Sequence, residues 1–189
     1  RTMPIPDYQT LMLPVLELAR DGREYTLREA IEAMVAQFHL TDADRQELLP
    51  SGRQFTLNNR VGWASTYLKK AGLLESPKRG VYVITPRGLK VLARKPETLG
   101  NADLEPYPEF KVFKEVRHKA GDGSDGGTST PGKHTPEESV EDAFQKLHAD
   151  LAADLLQIVR TCSPAFFERL VVDVVVAMGY GGSRADAGK

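Results

Sequence analysis

Residues 55–95 read FTLNNRVGWASTYLKKAGLLESPKRGVYVITPRGLKVLARK, and the fold is decided there. Thr56 can cap a helix in which Leu57, Val61, Ala64 and Leu68 recur at the 3.6-residue period, one apolar stripe facing a core. Gly72 ends that helix. Leu73-Leu74-Glu75 and Val81-Tyr82-Val83-Ile84 read as short strands joined by the turn Ser76-Pro77-Lys78-Arg79-Gly80. Thr85-Pro86 opens the next helix, with proline in its first turn. The order is therefore helix, strand, basic turn, strand, helix.

Charge sets the same stretch apart from its surroundings. Residues 57–95 hold nine Lys or Arg against one acid, Glu75, while the whole 189-residue chain nets −1 and the preceding segment is acidic. Such segregation is the footprint of a domain that offers one face to a polyanion, most simply the phosphates of DNA. A helix followed by a two-stranded basic hairpin is the layout of a winged helix-turn-helix. In that layout the helix offers Asn58, Asn59, Arg60, Ser65, Thr66, Lys69 and Lys70 to a groove, and Lys78 and Arg79 sit at the wing tip. Trp63 and Tyr67 lie at the edge of the apolar stripe and read as core packing rather than base stacking.

Working outward, residues 7–20 carry a helical apolar pattern that Pro14 should kink or split. Thr26 and Glu29 form a capping box for a helix over 27–39, and Thr41 with Asp44 caps a shorter one reaching Leu49. Residues 1–95 thus form the expected DNA-binding domain and 96–134 a linker, with Phe110, Val112, Phe113 and Val116 left unclassified within it. The part over 120–134 is rich in Gly, Ser, Thr and Asp and buries too little to offset ordering entropy. Its Asp122 and Asp125 lack EF-hand spacing. Thr135-Pro136 starts a long helix whose Val140, Phe144, Leu147, Leu151, Leu155 and Ile158 form a seam able to pair with another domain or a second copy. Ser163-Pro164 opens a last, strongly apolar helix.

The single Cys162 excludes an internal disulfide, the four histidines show no ligand spacing, and no metal is expected on this chain. No apolar run is long enough to span a bilayer and no signal peptide stands at the start, so the expectation is a cytoplasmic protein with no membrane contact.

Two stretches resemble one family. RVGWASTYLKKAGLLESPKRGVYVITPRGLKVL (60–92) is similar to the amino-terminal winged-helix domain of the Mrr-type restriction endonucleases, which cut DNA carrying modified bases, and SPAFFERLVVDVVVAMGYGGS (163–183) resembles the opening helix of their nuclease domain. The resemblance implies a mainly α chain with a small β-hairpin: a winged-helix module, a flexible linker, and at 135–189 the helical start of an α/β nuclease of PD-(D/E)xK type. In that family Mg²⁺ is held by acidic residues near a lysine, in motifs absent from this sequence. Of the site only Glu168 has a counterpart, beside the catalytic centre. The full-length parent is then an Mg²⁺-dependent enzyme that cleaves methylated foreign DNA, while this chain alone is expected to bind double-stranded DNA, hold no metal and cut nothing. Two alternatives stay open: a transcription regulator that dimerises through 135–160, and a winged domain whose basic patch meets an acidic protein.

Overall fold

The computed structural model describes residues 5–120 and 134–180, with side chains through 115 before the gap. The chain divides into two compact units, Arg1–Glu141 and Asp142–Lys189.

In the first unit, α1 (Tyr8–Leu18) starts at Asp7, whose carboxylate accepts from the amides of Gln9 and Thr10. It runs unbroken through Pro14, whose ring is buried, so the expected kink does not divide it. A two-residue strand β1 (Tyr25–Thr26) leads into α2 (Leu27–Gln37), and α3 (Asp42–Gln46) follows. Both helices carry the expected capping boxes, Thr26 with Glu29 and Thr41 with Asp44. The second helix stops before Leu49 because the chain there turns extended and Leu48 bridges to Phe55.

Helix α4 (Thr56–Lys70) is the centre of the unit. Its Leu57, Val61, Ala64 and Leu68 pack with Leu11, Met12 and Leu16 of α1 and Met34 of α2 in one core. Thr56 is the first helical residue rather than the cap; its amide is satisfied by the carbonyl of Glu47 at 2.8 Å. Strands β2 (Leu74–Glu75) and β3 (Val81–Ile84) form the hairpin, and β1 pairs on the other side of β3, giving the antiparallel order β1-β3-β2. Tyr25 lies opposite Tyr82, and Leu74 opposite Ile84. Helix α5 (Pro86–Ala93) is capped by Thr85 and lies so close to the hairpin that any side chain at Gly88 would run into the Leu73 carbonyl and Ile84.

The segment expected to be a linker over 96–134 is folded over its first part. It forms α6 (Asn101–Leu104) and α7 (Pro108–Ala120), which bring Leu99, Leu104 and Phe110 into the same core. Tyr67 of α4 packs between Tyr8, at a ring distance of 5.2 Å, and Phe110 at 5.7 Å, while Phe113 completes the cluster. The Gly-rich residues 121–133 lie outside the described residues. The first turn of α8 (Pro136–Thr161) also belongs to the first unit, which extends to Glu141.

The described part of the second unit contains the rest of α8 and α9 (Pro164–Ala177), whose Ser163 cap accepts from the Phe166 amide at 3.3 Å. Val140, at the end of the first unit, begins a row of exposed apolar side chains that Phe144, Leu147, Leu151, Leu155 and Ile158 continue along α8. On α9, Phe166, Phe167, Val171, Val174 and Val175 are likewise uncovered.

Candidate nucleic-acid interface

The helical wheel of α4 sorts the expected contacts into two groups. Its core-facing side is occupied, and the side left open carries Asn58, Gly62, Thr66 and Lys69 at steps of four, four and three, with the exposed Lys70 beside them. Thr66 donates its hydroxyl to the Gly62 carbonyl at 2.8 Å. Gly62 itself is informative: a Cβ there would meet nothing within 4 Å, so no neighbour inside the fold demands glycine. A mid-helix glycine costs about 1 kcal/mol relative to alanine, and here it leaves the middle of the open stripe without a side chain.

At one end the stripe meets the hairpin. Lys69 Nζ lies 5.2 Å from the ring centre of Tyr82 on β3, a cation–π contact that joins helix and sheet. At the hairpin tip, Ser76 Oγ donates to the Lys78 and Val81 carbonyls, and Gly80 takes φ 76°, a left-handed turn that glycine accepts without strain. Arg79 projects into solvent, and Lys78 is paired with Glu24 at 3.7 Å, an exposed contact too weak to withhold its charge from a phosphate. The amide of Leu27 donates to the Gly80 carbonyl at 3.2 Å, which brings the first turn of α2 and the exposed Arg28 beside the tip. Sequence reasoning passed over Arg28 because nothing local reveals that β1 carries α2 to the hairpin.

Three of the expected helix contacts face the protein instead. Ser65 is fully buried and donates to the Val61 carbonyl at 2.9 Å. Asn59 is 2% exposed, donates to Gln54 Oε1 and accepts from the Thr135 hydroxyl at 2.6 Å. Arg60 forms an ion pair with Glu138 at 2.7 Å and donates to the carbonyls of Ile5 and Pro6. Glu137 accepts from the indole N–H of Trp63. Asn59, Arg60 and Trp63 thus form a socket on the flank of α4 for the start of α8. There the capping box of Thr135 and Glu138 is closed by the Thr135 amide, which donates to Glu138 at 2.7 Å.

The basic block is therefore divided. Arg87 also turns inward, donating to the Ala71 carbonyl at 2.9 Å and pairing with Glu109, whose carboxyl this holds below its ordinary value. Lys70 leans over Phe113, with Nζ 5.3 Å from the ring centre. The cations left for a polyanion around the stripe and hairpin are Lys69, Lys70, Lys78, Arg79 and Arg28. Glu168 stands exposed on α9, and among the described residues no three His, Cys, Asp or Glu side chains converge on a metal-sized site.

A family model for the Mrr N-terminal domain matches residues 8–94, the span from the start of α1 to the end of α5. The chain is also 31% identical, over 193 aligned positions covering 97% of its length, to the type IV methyl-directed restriction enzyme EcoKMrr of Escherichia coli strain K12. Both similarities point to the Mrr-type restriction endonucleases. It spans 62% of the length of that relative. Helices α6 and α7 lie beyond the Mrr N-terminal domain match yet share its core, and the similarity to EcoKMrr continues through them. No solved structure gives a significant match. Among the described residues no helix is long and apolar enough to cross a membrane.

Proposed function

We propose that the first unit is the DNA-binding module of an Mrr-type restriction endonuclease directed at methylated DNA. The order α1-β1-α2-α3-α4-β2-β3 with sheet order β1-β3-β2 fits a winged helix in which α4 enters the major groove and the β2-β3 hairpin is the wing. One observation carries this reading: among the described residues the side of α4 left open is small, polar and basic, and it meets a hairpin tipped by Lys78 and Arg79. Asn58 and Thr66 reach base edges, Lys69, Lys70, Lys78, Arg79 and Arg28 reach phosphates, and Gly62 lets the groove wall approach the helix backbone. Asn59, Arg60 and Ser65 are positioning residues in this account and touch no DNA.

The nuclease reading assigns α8 and α9 to the opening of a second domain, whose other elements would cover their exposed apolar side chains; the exposed Phe166, Phe167, Val171, Val174 and Val175 of α9 are the kind of face that packs on a core. Glu168 is the one carboxylate offered towards such a centre. Among the described residues it joins no group of three possible metal ligands, and no step of phosphodiester hydrolysis is assigned to them. The chain alone should leave methylated plasmid intact with Mg²⁺ present. A second reading, a dimer formed along α8, is favoured by the exposed row from Val140 to Ile158, and a sedimentation mass of one chain at micromolar concentration rules it out.

Fluorescence anisotropy with a labelled duplex across a salt series tests the DNA reading. Binding should weaken steeply with salt, and Lys78→Ala with Arg79→Ala should lower both the affinity and the slope of log K against log salt by about one per lost phosphate contact. Unchanged affinity in that double variant contradicts the assignment of the wing.

A further inference from the structure

The open stripe of α4 ends at Asn58, and there the surface changes character. Between α2, α3 and the start of α4 lies an open hollow of about 680 Å³. Leu57 forms its floor, Leu27 and Ile31 its wall, and Phe55 stands at its mouth, 41% exposed. Phe55 is held there by its bridge to Leu48, itself exposed, so two large apolar groups are kept in water that the fold does not use. Arg28 and Arg45 are balanced by Glu32 and Asp42, and Arg45 is already paired with Glu32. Apart from Arg28, which borders the hairpin tip, the charged lining is two carboxylates against one cation and does not attract phosphate. It suits a flat, uncharged group with an apolar edge. Its two borders are the features assigned to DNA: Asn58 is shared with the stripe, and Leu27 is hydrogen-bonded to the hairpin tip at Gly80.

We propose that this hollow receives the methyl group of a modified base in the major groove, with Phe55, Leu27 and Ile31 covering the methyl and Asn58 hydrogen-bonding the base edge. The inference rests on the reading of the α4 face as the DNA side. A methylated base differs from its parent by one small apolar protrusion, and discrimination between them requires apolar side chains that remove it from water. One such group in an apolar pocket changes affinity by about tenfold at the lower end of its range, the end that suits an open hollow. The phosphate contacts supply binding common to all duplexes, and the hollow supplies the difference between them.

The test uses the chain as it stands and three duplexes of one sequence: unmodified, carrying 5-methylcytosine, and carrying N6-methyladenine. Affinities are measured by anisotropy for wild type, Phe55→Ala and Phe55→Leu, with thermal melts to show that each is folded. The wild-type chain should bind one methylated duplex about tenfold more tightly than the unmodified one. Phe55→Ala should remove that preference while leaving affinity for the unmodified duplex unchanged, and Phe55→Leu should keep part of it. If wild type discriminates and Phe55→Ala discriminates equally, the hollow is the wrong place although the DNA reading stands. Equal wild-type affinity for all three duplexes, or a uniform loss in Phe55→Ala, also overturns the inference and spares DNA binding. Binding to none of them ends both. Loss of self-association in Phe55→Ala, without loss of methyl preference, would assign the hollow to a second copy of the chain.

Discussion

Glu138→Ala should undo the junction between α4 and the start of α8. The wild-type carboxylate accepts from Arg60 Nε at 2.7 Å and from the Thr135 amide at 2.7 Å, with side-chain exposures of 8% for Glu138 and 21% for Arg60. Losing the cap contact costs about 1 kcal/mol. Leaving one member of a buried ion pair without its partner costs about 3–5 kcal/mol, reduced here because the Ile5 and Pro6 carbonyls and some solvent still reach the guanidinium. The two together place the loss at about 2–3 kcal/mol, or at the full docking free energy of the turn if that is smaller and the turn simply detaches. The single tryptophan of the chain, Trp63, bonds Glu137 in the same turn, so its emission reports docking while a urea titration reports stability. Replacing both charges by apolar groups, Arg60→Met with Glu138→Leu, should recover most of the loss, and the four-member cycle should give a coupling of about 2 kcal/mol. The reasoning fails if Glu138→Ala lies within about 0.5 kcal/mol of wild type and leaves Trp63 emission unchanged.

Gly62→Ala should raise the urea midpoint, by about 0.5–1 kcal/mol of stability, because the added methyl meets open space and removes a glycine from a helix interior; the same methyl should weaken duplex binding, and anisotropy beside the denaturation curve separates the two effects. Acid should destabilise the first unit. Asp21 is drawn down to about 2 by the Arg23 amide and the Tyr25 hydroxyl, and Glu29 and Asp44 are lowered by the hydroxyls and amides of Thr26 and Thr41. Folded values below unfolded ones mean that this stabilisation is complete above the ordinary carboxylate range and drains away as pH falls through it, so the urea midpoint should decline from about pH 5 down to about pH 2 and hold level just above.

What the sequence made legible was whatever local periodicity and capping chemistry encode. Thr26 with Glu29, Thr41 with Asp44, Thr85 with Pro86, and the Leu57-Val61-Ala64-Leu68 stripe all appear as read. Strand β1 was not legible because two residues cannot display an alternation; Tyr25 and Thr26 are a strand because β3 pairs with them. Helices α6 and α7 were hidden by the prolines and glycine around them, and what orders that segment is Leu104 and Phe110 reaching a core built far upstream. The inward placement of Asn59, Arg60 and Ser65 stayed hidden for two physical reasons. Ser65 lies close to the apolar stripe on the wheel and satisfies its hydroxyl within its own helix. Asn59 and Arg60 do lie off the core side, but their partners Thr135 and Glu138 arrive from 76 and 78 residues away, and no local pattern announces a contact of that kind. The exposure of Phe55 was hidden for a related reason: a residue just before a helix is core or surface according to what the following elements cover.

Amide chemical shifts followed by NMR while a duplex is titrated into the ¹⁵N-labelled chain would locate the interface directly. Changes concentrated at Asn58, Gly62, Thr66 and Lys69 and at Lys78, Arg79 and Gly80, with Asn59 and Ser65 moving less than their neighbours on the stripe, are the expected pattern. Changes centred instead on α1, α6 or α9, or none at low salt, would contradict the assignment of α4 and its hairpin as the surface that meets DNA.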